Sequence, residues 1–211
     1  MDIRQTDPGG LRQRLSQVLA ARPLLRGLLR ALGAGGFCFV LAGAGLLDGP
    51  VPLALAPVCV LPFGPAAICA YLGAAAGYAV FWGLSAALEP VAAGFLLLAG
   101  SCLLADLVPD EQGWLASAAA GGIYALLGVI FVLRADGRLQ AALQLILRLV
   151  LLTLSVRMLS PAPANARLRP YAAAVCLLAG LVRVQLPFGV PLAVIPAAAI
   201  CVLAAAGPEA L

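Results

Sequence analysis

The chain has no histidine and no lysine, and only 9 of its 211 residues are acidic. Without histidine, the common zinc sites, Ser-His dyads and imidazole proton relays are excluded. A P-loop, a G-x-S-x-G elbow and a G-x-G-x-x-G after a strand are missing too, so nucleotide-driven and hydrolytic chemistry has no motif to run on. The six cysteines (Cys38, Cys59, Cys69, Cys102, Cys176, Cys201) stand singly inside apolar runs with no C-x-x-C spacing. They read as small packing or lipid-facing residues, and no metal, disulfide or cofactor is expected. No enzymatic activity is expected of these residues, and no nucleic-acid partner.

What fills the chain instead is apolar. Hydrophobic residues make up 64% and charged residues 10%, with a mean hydropathy of +1.07. A water-soluble fold cannot hide that much apolar surface. A bilayer core takes about 20 apolar residues per helix, and the charge-poor stretches supply six to eight such segments. They are apolar on every side and do not alternate, which selects helices over a barrel. The expected fold is therefore an all-α polytopic transmembrane bundle with an N-terminal amphipathic helix lying at the interface. Residues 1–30 form the basic segment and 31–211 the transmembrane domain.

All 13 basic residues are arginines, and six of them (Arg4, Arg12, Arg14, Arg22, Arg26, Arg30) precede the first apolar span. The positive-inside rule then places the N-terminus in the cytoplasm of a bacterial inner membrane protein. The basic lead is long, and no small-x-small cleavage site follows the first span, so a retained anchor is expected. Within the lead, Asp7-Pro8 suits a helix start. Leu11, Leu15, Val18 and Leu19 share a face opposite Arg12, Arg14 and Gln17, as in a helix lying on anionic lipid.

The first span is expected from Ala31 to Leu47, stopped by Asp48-Gly49-Pro50. From Val51 to Leu107 the only charges are Glu89 and Asp106. Breaks at Pro62-Phe63-Gly64-Pro65 and at Leu88-Glu89-Pro90 divide this stretch into spans near 51–61, 65–86 and 90–107. The first is short enough to be a re-entrant half-helix, tolerable only if buried against protein. Further spans are expected near 113–133, 139–159, 171–181 and 190–206. Leu-Pro-Phe-Gly occurs at both 61–64 and 186–189, too short a match to establish an inverted repeat.

The 139–159 span is the one with polar content. Gln140, Gln144, Arg148 and Ser155 fall within a stripe of about 80°. An arginine near mid-helix costs about 2.5–3.5 kcal/mol at the bilayer centre, so Arg148 must meet a partner, a wet cavity or the interface. Glu89 is the acid to test as that partner, and it is also the only intramembrane group suited to acid–base work. The small residues Gly73, Gly77, Gly121 and Gly122 are candidates for close helix packing, within the chain or between copies.

The order of features resembles the N-terminal membrane region of stage II sporulation protein E. The resemblance rests on the basic N-terminus and on a span running into Leu46-Leu47-Asp48-Gly49-Pro50-Val51-Pro52-Leu53-Ala54. It rests also on the Ala/Gly-rich stretch Ala66 to Gly83, on Arg167-Leu168-Arg169 leading into Tyr171, and on the Ala-rich 193–207. It covers most of the chain through hydropathy order and loose motifs. It implies an anchor, at the asymmetric septum of an endospore-forming bacterium, for a PP2C-type phosphatase that activates the first forespore sigma factor. The metal-binding aspartates of that phosphatase have no counterpart in these 211 residues, so no catalytic residue is carried over. The function expected is thus membrane anchoring and assembly, with the bilayer, further copies or division proteins as partners. The alternative is a small transport or substrate-binding permease subunit, in which Arg148 would recognise an anionic group.

Overall fold

The computed structural model describes residues 23–46, 49–104, 114–134, 138–161 and 169–184. Residues 7–22 of the interfacial helix expected over 7–30, the acidic loop after Asp106, the second Leu-Pro-Phe-Gly and the span at 190–206 lie outside them. The described chain is almost entirely helical. It runs α1 (Pro23–Leu41), a two-stranded hairpin β1 (Gly45–Leu46) and β2 (Gly49–Pro50), and a 3-10 turn (Pro52–Ala54). After these come α2 (Leu55–Val60), α3 (Pro65–Leu104), α4 (Trp114–Arg134), α5 (Arg138–Leu159) and α6 (Arg169–Leu181). Four of the helices, α1, α3, α4 and α5, are long and apolar enough to cross a membrane.

Surface chemistry agrees with that assignment. Leu72, Val80, Leu84, Leu88, Phe95, Leu126 and Leu143 are all exposed, whereas alanine is the commonest residue of the core, with leucine and valine next. Large side chains outside and small ones between the helices is the arrangement expected where lipid, rather than water, is the solvent.

α3 is 40 residues long, about 60 Å if straight and twice the hydrocarbon thickness. It does not run straight. The rings of Tyr71 and Phe95, equally far on either side of Gly83, have centroids 6.4 Å apart, and Gly94 packs against the Tyr71 ring. The run reverses at Gly83, whose φ of 79° and ψ of 162° lie in a region open essentially to glycine alone. This corrects the break expected at Leu88-Glu89-Pro90: those residues are helical. Proline is tolerated in a membrane helix whose neighbours accommodate the freed carbonyl, and Pro90 is fully buried here.

The first helix is corrected as well. It begins at Pro23, a residue preset for a first turn, and ends at Leu41, where expectation had Ala31 to Leu47. Arg26 and Arg30 therefore belong to α1, and the division at residue 30 falls inside a helix. α1 and the first half of α3 run parallel at very short range. A side chain on Gly73 would strike the Gly35 backbone, and one on Gly77 would lie 2.6 Å from the Phe39 carbonyl oxygen. α6 is parallel to α1 too, with Gly180 against Val40 and Gly43. α4 and α5 are antiparallel, with Gly121 at Thr153 and Gly128 at Leu145. Gly122 has no atom near its missing side chain, because the next residue on a helix is turned about 100° away.

Candidate functional site

Between α1 and α3 the chain does not form a regular helix. It turns at Ala42-Gly43-Ala44 and makes the short hairpin Gly45↔Pro50, Leu46↔Gly49. It then continues through the 3-10 turn into the six-residue α2. Every residue from Val51 to Val58 is buried. Irregular backbone at membrane depth must be enclosed by protein, and this segment meets that condition, packing on α3, α4 and α5.

The bundle's polar side chains gather around it. Arg148, halfway along α5, places Nη1 3.2 Å from Glu89 Oε2 in the second half of α3, with side-chain exposures of 13% and 15%. The other guanidinium nitrogen lies against Gly49 of the hairpin, so closely that a side chain there would collide with it. Tyr124 of α4, almost fully buried, brings its hydroxyl to both members of the pair. Tyr78 of α3, with no exposure, donates to the Val51 carbonyl at 2.9 Å. At the far end Trp82 donates through Nε1 to the Ala42 carbonyl at 2.9 Å. The Arg183 guanidinium stacks 3.8 Å above the Trp82 ring centroid. Groups from α3, α4 and α5 thus hold the broken segment.

Among the residues singled out in the sequence, Glu89 and Arg148 meet. Gln140 is exposed at the start of α5 and Gln144 is half-buried. Ser155 is buried with its hydroxyl donating to the Leu151 carbonyl at 2.6 Å, so the stripe does not line a continuous path. Gly73, Gly77 and Gly121 pack within the chain, and Gly122 does not. Sequence reasoning missed Tyr78, Tyr124 and Trp82. A tyrosine or tryptophan in a long apolar run carries a polar atom that needs a partner, and that signal was available.

No group of three His, Cys, Asp or Glu that could hold a metal occurs among the described residues. Two apolar cavities accompany the core. One, of about 340 Å³, lies between α2, α3 and α4 around Cys59, Leu97 and Ile123. The other, of about 520 Å³, lies between α1, α2, α5 and α6. Comparison with family models, with curated proteins and with solved structures returns no match.

Proposed function

We propose that the chain is a multipass membrane anchor and assembly module with no catalysis of its own. The observation that carries this reading is the engagement of Arg148. Among the described residues, the arginine at the middle of a long apolar helix is bound to Glu89 and packed on Gly49. The cavities beside the core are lined by apolar residues almost throughout. The broken segment favours transport, since discontinuous helices build substrate sites in transporters. Its surroundings are nevertheless filled by the protein's own side chains.

The reading includes a topology that the contacts support. The irregular stretch from Ala44 to Gly64 returns the chain across the bundle, because α1 and the first half of α3 run the same way. With α1, the two halves of α3, α4, α5 and α6, this gives seven proposed passages among the described residues. Parallel α1 and α6 bring Arg26, Arg30 and Arg169 to one end, which the positive-inside rule assigns to the cytoplasm. In the role that resemblance to the membrane region of stage II sporulation protein E implies, this module holds a PP2C-type phosphatase at the asymmetric division septum.

A fluorescent fusion to the chain, imaged in sporulating cells, tests the reading. Accumulation at the asymmetric septum is expected. Uniform membrane distribution, together with uptake of a small anion by proteoliposomes of the purified chain, would replace it with the transport reading.

A further inference from the structure

The cavity of about 520 Å³ opens at the basic end of the bundle. Its walls are apolar, with Gly33, Ala34 and Phe37 of α1 facing Leu159 of α5 and Ala173 of α6. Arg169, in the first turn of α6, is part of its lining and is exposed. Arg30 is exposed as well. It stands on the α1 face that carries Ala34 and Phe37, four and seven residues on, one turn nearer the basic end. Glu89, the only acid among the described residues, is bound to Arg148 deep in the bundle, so no carboxylate among them neutralises either arginine.

An apolar cleft of this size fits a ligand-sized apolar group, and cations at its mouth complement a negative headgroup. We propose that the cleft between α1 and α6 binds one anionic glycerophospholipid. An acyl chain lies along Phe37 and Ala173, and the phosphate is held by Arg169 and Arg30. Basic pockets between membrane helices on the cytoplasmic side are suited to this chemistry. The space is real on the protein's side: a side chain at Gly33 would meet no atom within 4 Å, so nothing from the neighbouring helices fills that position. The inference rests on the membrane reading of the fold, and on the orientation proposed above only for the leaflet concerned.

The test is native mass spectrometry of the full chain released from neutral detergent, with phosphatidylglycerol or phosphatidylcholine of identical acyl chains added. One retained phosphatidylglycerol is expected, preferred over phosphatidylcholine. Arg169→Gln and Arg30→Gln should each lower that preference about fivefold. Gly33→Leu, whose Cβ would meet no neighbouring atom within 4 Å, should reduce retention of both lipids while leaving the thermal melt unchanged. Equal retention of the two lipids, a preference indifferent to the arginines, or retention indifferent to Gly33→Leu would each overturn the site. Displacement by millimolar inorganic phosphate would also overturn it, by showing an anion site without a chain. A chain that never partitions into membranes defeats the membrane reading itself, whereas a membrane-inserted chain without the preference defeats only this site.

Discussion

Arg148 on α5 reaches Glu89 on α3 across 59 positions of sequence, with Nη1 3.2 Å from Oε2, and the pair closes over the hairpin at Gly49. Taking one charge from such a pair leaves the other buried without compensation. Arg148→Ala or Glu89→Ala should each lower stability by about 3–5 kcal/mol. The double variant Glu89→Leu/Arg148→Leu should be less damaging than the sum of the single leucine variants. Thermal melts of the four proteins of that cycle in one detergent check it, and additive losses would show that the two groups do not interact.

Removal of the Tyr78 hydroxyl leaves the Val51 carbonyl without its donor inside the bundle. Tyr78→Phe should therefore cost about 1–3 kcal/mol. Tyr171→Phe, at an exposed site on α6, should stay within about 0.5 kcal/mol. Equal melts for the two would argue that the broken segment does not depend on its side-chain donors.

The glycines separate into two classes. Gly73→Leu and Gly77→Leu force α1 from α3 and should abolish the folded monomer, read as aggregation on size-exclusion chromatography. Gly122→Leu meets open space and should elute as the wild type does. A folded Gly73→Leu protein would contradict the close parallel packing of α1 on α3.

Gly83→Ala places a side chain on a backbone with φ of 79° and ψ of 162°. Such strain costs about 1–3 kcal/mol, and the loss should appear in the melt. A neutral substitution would mean that the two halves of α3 join without that turn.

Much of this architecture was legible in the residues. The apolar runs announced membrane helices, and Pro62-Phe63-Gly64 marked the break that precedes α3. An arginine inside a span required a partner, a wet cavity or the interface, and Glu89 was the acid to test as partner. The reversal at Gly83 was not legible. Apart from Glu89, Ser85 and Ser101 the second half of α3 is apolar, as the first half is, so no periodicity separates the two. Pro90 drew attention to the wrong place, because a proline can sit inside a membrane helix where a soluble one would break. Nor could the parallel packing of α1, α3 and α6 be read, since it depends on the irregular stretch from Ala44 to Gly64 crossing the bundle. Its short apolar pieces look alike whether they cross or turn back.

That crossing is the claim on which the topology depends, and cysteine accessibility tests it directly. In a chain whose six native cysteines are replaced by alanine or serine, Leu46→Cys and Phe63→Cys are labelled in intact cells with a membrane-impermeant maleimide, both positions being exposed in the fold. Labelling of residue 46 in intact cells, and of residue 63 only after permeabilisation, is the predicted result. Labelling of both from the same side would show that the segment turns back, and would contradict the seven passages proposed.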